Sequence, residues 1–259
     1  MKKALFLDID GVLQPCGQQK RFEHLKEMPE ICARLNKTLD CDFDFEAYTK
    51  DSYSGTCDVA AVYFDWDKQA VENLRHILDE TGARIVISSD WREWGGLDRM
   101  KGFLAIHGLD KYLDDTTYYI PERNTYSSIE YGGEQYIAKQ EEEKAWKEVR
   151  NKIYDRLREL YPSPSSGWGA PFVDSRTAEI REYLDRHPEI TSFVALDDRN
   201  LTLGLDGHFV QTNNRISEEN AKQAIEILQR EDGPFLLDDT LHTPELEAWR
   251  EKYTVATPE

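Results

Sequence analysis

Apolar residues along this chain fall into short unbroken runs, separated by stretches of helical period. ALFL leads into Asp8, ARIVIS spans Ala83–Ser88 and SFVALD spans Ser192–Asp197. A strand buried on both faces needs such a continuous run, so these segments predict a parallel sheet sandwiched between helices. A weaker strand is expected near Thr116–Ile120, and a fifth at His208–Thr212. Between the runs, Asp67–Thr81 (DKQAVENLRHILDET, stopped by Gly82) and Ser175–Arg186 (SRTAEIREYLDR) place apolar residues at helical spacing. Ser217–Gln229 (SEENAKQAIEILQ) reads as a capped amphipathic helix, with a glutamate at or near the third position after its first serine. The expected fold class is α/β, a Rossmann-like three-layer sandwich.

Two stretches break the alternation. Residues of roughly 14–62 are polar, aromatic and cysteine-bearing, with no clean period. Residues of roughly 121–172 hold a charged helix pattern, GEQYIAKQEEEKAWKEVRNKIYDRLRELY, followed by the turn-rich PSPSSGWGAP. Both read as insertions into a single domain over 1–259, and the EEEK run reads as a solvated helix face. The tail is expected to pack a short helix through Leu246, Trp249 and Tyr253, with Asp238-Asp239 in a solvated turn.

Composition narrows the picture. A chain of 259 residues, 39% hydrophobic, can bury a core without staples. No apolar run is long enough to span a bilayer. The opening MKKALFLD is interrupted by Asp8, so a secretory signal is not expected. A cytoplasmic location and no membrane partner follow as expectations. Cys16, Cys32, Cys41 and Cys57 form no CxxC pair and have no histidines at zinc-site spacing, so they read as reduced, partly buried thiols. A formal charge of −18 repels nucleic-acid backbones, but it leaves room for a small phosphorylated ligand held by local groups.

Chemistry gathers at the strand ends. In DIDG, Asp8 and Asp10 point the same way if strand geometry persists, and Gly11 lets the backbone turn. On its own, that fragment is also a plain Asp-Gly turn. The second strand, however, ends in Ser88-Ser89-Asp90 and the fourth in Asp197-Asp198, while Arg176 opens the helix before the fourth. Open parallel sheets bind ligands beyond the carboxyl ends of their strands. Four carboxylates massed there repel one another, which favours a hard divalent cation with oxygen ligands, Mg²⁺. Arg92 could grip substrate or form a structural ion pair. Trp91 and Trp94 could line a pocket, although hydrophobic packing is the simpler role. The scattered histidines are assigned no chemistry.

The ordered set LFLDIDGVL, IVISS, Arg176 and VALDD resembles the haloacid-dehalogenase (HAD)-like hydrolase superfamily. IVISSDWR and FVALDD…HFVQT, with Arg-Thr-Ala-Glu-Ile between them, look most like the HAD domain of Swiss Army Knife RNA-repair proteins. The resemblance covers the core and not the two insertions. It implies a phosphatase in which Asp8 is the nucleophile and Asp10 the general acid and base, with Ser88 or Ser89 bonding a phosphoryl oxygen. Asp8, the Asp10 carbonyl and Asp197 would hold Mg²⁺, with Asp198 supporting the metal through water or a hydrogen bond, and Arg176 takes a position where lysine is more common. Both insertions lie where caps occur in that superfamily, which leans toward a small or medium phosphorylated substrate. A nucleic-acid end is the alternative, and a non-catalytic binding protein a third reading.

Overall fold

In the computed structural model, residues 2–17, 19–94, 96–117, 134–164, 172–242 and 244–253 are described; within these, the side chains of 93–94, 134–143, 245, 249 and 252–253 are not. The elements, in chain order, are β1 (Lys2–Leu7), α1 (Met28–Thr38), α2 (Phe45–Thr49), α3 (Tyr53–Phe64), α4 (Lys68–Thr81), β2 (Arg84–Ile87), α5 (Gly96–Ala105) and β3 (Leu113–Thr116). They continue with α6 (Glu134–Leu160), α7 (Ser175–Arg186), β4 (Ile190–Asp197), β5 (Phe209–Gln211), α8 (Glu218–Leu228) and α9 (Pro244–Tyr253). The five strands form one parallel sheet in the order β3-β2-β1-β4-β5. This is the three-layer α/β architecture expected from the runs.

Strand parity explains why the runs are unbroken. Leu5, Leu7, Ile85, Ile87, Val194 and Leu196 enter the core beneath α1, α3, α4, α5 and α8. Their neighbours Ala4, Phe6, Val86, Phe193 and Ala195 point to the opposite face and pack with Ile180, Tyr183 and Leu184 of α7. The central strands therefore have to be apolar at successive positions where both faces are covered.

The third strand corrects the expectation. It begins at Leu113 and ends at Thr116, not Thr116–Ile120, of which residues 118–120 lie outside the described set. Its LDDT sequence hid it. An edge strand can carry acids, and here Asp114 meets Lys2 at 2.7 Å while Asp115 accepts from the Tyr183 hydroxyl at 3.1 Å. On α8, Ser217 makes the anticipated capping box, but the reciprocal partner is Asn220, not a glutamate.

Residues 14–62 supply α1, α2 and most of α3, whose Met28, Ile31, Cys32, Leu35, Phe45, Val59, Ala60 and Val62 join the main core. All four cysteines are free thiols; Cys16 is exposed and Cys32 buried. On the other side, Trp146, Val149, Ile153 and Leu157 form a helical stripe of α6 packed with Val173 and Ala178, and with Leu237, Leu241 and Leu246 of the tail. Most of PSPSSGWGAP, and the side chains of Glu141–Glu143 of the EEEK run and of Trp94, Trp249 and Tyr253, fall outside the described set. Asp238 does cap a turn, and the Thr240 hydrogen bonds hold its carboxyl below the usual range, helped by Arg156 of α6, which donates to it at 3.0 Å. No described helix is long and apolar enough to cross a membrane.

If the helices of 14–62 are part of the cooperative core, Phe45→Ala should lower stability by about 3–5 kcal/mol. Urea unfolding followed by circular dichroism should show one transition shifted as a whole. A separate early transition would mean that these helices form an independent unit.

Candidate active site

Parity carries past the strand ends and decides which side chains meet. Leu7 is in register with Ile87 and Leu196, so Asp8, Ser88 and Asp197 follow at one level on adjacent strands. All three share the parity of Phe6, Val86 and Ala195, the side covered by α7. They lie at the centre of the sheet, where the chain direction of strand addition reverses and an open α/β sheet leaves a crevice.

Arg176 enters this crevice from the first turn of α7. Its backbone is fixed by the N-cap Asp174, which accepts from the Arg176 amide at 2.9 Å and from the Arg199 guanidinium at 2.6 Å. The Arg176 Nη1 lies 3.0 Å from Asp8 Oδ1 and 2.7 Å from Asp197 Oδ2, and Nη2 lies 2.9 Å from Asp90 Oδ1. Asp8, Arg176 and Asp197 are only 4%, 3% and 1% exposed. Burial alone would lower the arginine's proton affinity, but the charges of Asp8 and Asp197 reverse that and raise it. Asp197 moves the other way from an ordinary carboxyl. Burial and then the nearby Asp8 push it up to about 6, against the pull of Arg176.

Asp198 follows Asp197 and reaches the same centre. One carboxylate oxygen from each of Asp8, Asp197 and Asp198 lies within 4.8 Å of the others. Desolvation and the Asp8 charge raise the Asp198 carboxyl as well. Gly11 makes room for it. This glycine has φ +71°, and a Cβ there would stand 2.5 Å from Asp198 Oδ2. The Gly11 carbonyl is held by the Thr212 hydroxyl at 2.8 Å. Three hard oxygen donors with excess negative charge suit a divalent cation, so the donor set fits one.

Asp10 stands at the exposed rim, just before the turn at Gly11. The Gln14 side-chain amide donates to its Oδ1 at 2.9 Å, and the Trp91 indole N–H donates to its Oδ2 at 2.8 Å. Although the residue is exposed as a whole, crowding removes water from its carboxyl and raises its proton affinity. Asp8 and Asp198 add to this, while the Trp91 bond and the Arg21 charge oppose it.

Of the residues expected from sequence, Asp8, Ser88, Arg176, Asp197 and Asp198 are brought together, with Asp10 alongside. Ser89 is turned into its own local turn, where its hydroxyl accepts from the Trp91 amide at 3.4 Å. Arg92 is not a free cation at the rim. It is 4% exposed, pairs with Glu179 of α7 at 2.6 Å and donates to the Ser89 carbonyl, the structural ion pair of the two roles weighed for it. Gln14 has no signal in the sequence beyond adjacency to the first motif; Asp90 is read there only as part of the acidic end of the second strand, and Trp91 as pocket lining or packing, not as a partner of Asp10.

Residues 4–221 match the family described as the HAD domain in Swiss Army Knife RNA repair proteins. Neither the curated proteins nor the solved structures compared with the chain gave a match.

Two outcomes test this geometry. Gly11→Ala should push Asp198 off the cluster and weaken divalent-cation binding about 10-fold or more by titration calorimetry, because ligand orientation is lost. Asp197 has a folded-state pKa raised above its unfolded value. Its protonated form is therefore favoured by folding, and that stabilisation is lost as pH rises through about 6. In excess chelator, Tm should consequently rise as pH falls from 7 to 5. Saturating divalent cation should flatten or reverse the slope.

Proposed function

The chain belongs to the HAD-domain family found in Swiss Army Knife RNA repair proteins, and from that premise we propose that it is a Mg²⁺-dependent phosphatase acting on a phosphate monoester through a phospho-Asp8 intermediate. The observation that carries this reading is the convergence of Asp8, Asp197 and Arg176 within ion-pair distance at the carboxyl edge of the sheet, with Asp10 beside them. An Asp two residues after the nucleophile gives the site both a nucleophile and a proton carrier.

The steps follow from these positions. A carboxylate oxygen of Asp8 bonds to phosphorus as the bond from phosphorus to the leaving oxygen breaks. Asp10, protonated, gives its proton to that oxygen. The alcohol leaves, and Asp10, now ionised, takes a proton from a water whose oxygen attacks phosphorus. Asp8 is released along with inorganic phosphate. The Arg176 guanidinium and the Ser88 hydroxyl stabilise the phosphoryl oxygens in flight. Asp8, Asp197, Asp198 and the backbone carbonyl of Asp10 would hold Mg²⁺, which supplies charge neutralisation that lets a carboxylate approach an anionic phosphate. The raised carboxyls of Asp10 and Asp198 are consistent with this reading, since loss of water first and the nearby Asp8 charge second favour their protonated forms.

The substrate is read as a small or medium phosphorylated molecule. The 14–62 segment reaches the rim at Gln14, which bonds Asp10, and α6 flanks α7, so we assign both segments a screening role over the site. A phosphorylated nucleic-acid end is the second reading. The family's RNA-repair description favours it, while the net charge of −18 opposes it.

Hydrolysis of an aryl phosphate should require Mg²⁺ and fall by at least about 10⁴-fold in Asp8→Asn, as expected when a covalent nucleophile is removed. Full activity in that variant would sink the covalent mechanism, and binding without turnover of any phosphate would favour a non-catalytic role. A panel of phosphometabolites and of 3′- and 5′-phosphorylated oligonucleotides at two salt concentrations separates the substrate readings.

A further inference from the structure

Trp91 does something that its packing does not require. It lies in the short 3₁₀ turn Asp90–Trp94 that follows β2, far in sequence from the first motif. Its ring meets Phe103 edge-on, with centroids 6.0 Å apart, and Trp66 at 6.4 Å. Both neighbours are buried. Within that packing, the indole N–H donates to Asp10 Oδ2 at 2.8 Å.

The backbone of Trp91 is pinned as well. Its amide is within reach of the Ser89 hydroxyl, and its carbonyl accepts from the buried Arg99 guanidinium. Arg99 in turn donates to the Tyr48 hydroxyl at 3.1 Å and lies 3.7 Å from Asp58. Tyr48 donates to Asp58 at 2.8 Å. Tyr48 belongs to α2 and Asp58 to α3, both within the segment between the first two motifs. A continuous set of hydrogen bonds thus runs from the inserted helices through Arg99 and Trp91 to the rim carboxylate.

We infer that Trp91 is a positioning residue that holds the Asp10 carboxyl in line with the leaving oxygen, and that the helices of 14–62 anchor it. Gln14 secures the other oxygen of the same carboxyl at 2.9 Å, so the group is held from two sides and cannot rotate about its last bond without losing both donors. A carboxyl clamped in this way delivers its proton along one direction. The inference rests on the phosphatase reading above.

The test is leaving-group dependence. kcat/KM reports phosphoryl transfer to Asp8, the step in which the leaving oxygen needs a proton. An alkyl phosphate depends on that proton, whereas a nitrophenyl phosphate expels a stable anion and does not. Trp91→Phe keeps one aromatic ring against Phe103 and Trp66 and removes the N–H together with the five-membered ring that carries it. Its kcat/KM on an alkyl phosphate should fall about 10- to 100-fold, and on nitrophenyl phosphate by less than about threefold. Placed on Asp10→Asn, the same change should add nothing further. Trp91→His, which keeps a ring N–H, should recover part of the alkyl-phosphate rate and covers the case in which Trp91→Phe folds poorly by urea midpoint. Equal losses on both substrates, or an additive loss on Asp10→Asn, would overturn the positioning role while leaving the phosphatase reading intact. Retained activity in Asp8→Asn would overturn the reading itself.

Discussion

The structure turns on one contact, the Arg176 guanidinium between Asp8 and Asp197. At about 3 Å and an effective dielectric near 20, each such pair is worth about 5–6 kcal/mol of gross attraction. Taking three ions out of water costs several kcal/mol apiece, so the arrangement contributes little net stability. It persists because breaking it is costly. Removing the arginine would leave two buried carboxylates facing each other with no cation between them. Such a cluster earns its place by what it arranges, namely acid side chains massed at the one sheet edge where a ligand can enter.

That arrangement follows from parity more than from any local signal. Once β1, β2 and β4 pair in register, the residue after each strand's last core position lands on the side that α7 covers. Asp8, Ser88 and Asp197 then face Arg176 without any further instruction, and Asp198 closes on the glycine that leaves space for it. Ser89, one residue later, has the opposite parity and serves its own turn. The choice between the two serines therefore depended on where β2 ends, a boundary that the apolar run ARIVIS leaves uncertain by one residue.

The central strands and the motif residues were legible because burial on two faces and chemistry at strand ends both write themselves into short sequence windows. The rest depended on distant partners. β3 was displaced because an edge strand tolerates acids, and LDDT carries no apolar run. Arg92 sits beside the second motif, but the turn at Asp90–Trp94 carries it inward to Glu179, which sequence separation conceals. Trp91 read as packing, and its ring does pack. The bond of its N–H to Asp10 spans 81 positions and has no local signature. Within 14–62, α1 does carry a helical stripe, Met28, Ile31, Cys32 and Leu35, which the polar and cysteine-bearing surroundings masked, whereas α3 buries Val59, Ala60, Ala61 and Val62 in a row and so shows no one-sided period.

The guanidinium at 176 also explains what a lysine there could not do. A lysine presents one compact ammonium, which can satisfy nearby acids only as a point charge. The planar fork of Arg176 divides its work: Nη1 is shared by Asp8 and Asp197, while Nη2 is held by Asp90 at the exposed rim. Asp90 thus fixes the plane of the fork from outside, and Asp174 fixes the backbone from below. With both ends tied, the cation cannot swing to follow one carboxylate and abandon the other. A site that must hold two like charges close together, and still admit a third on an incoming phosphate, needs a counter-charge whose direction is set in advance. Here the sequence Ser-Ser-Asp after β2 and the Asp cap of α7 set it.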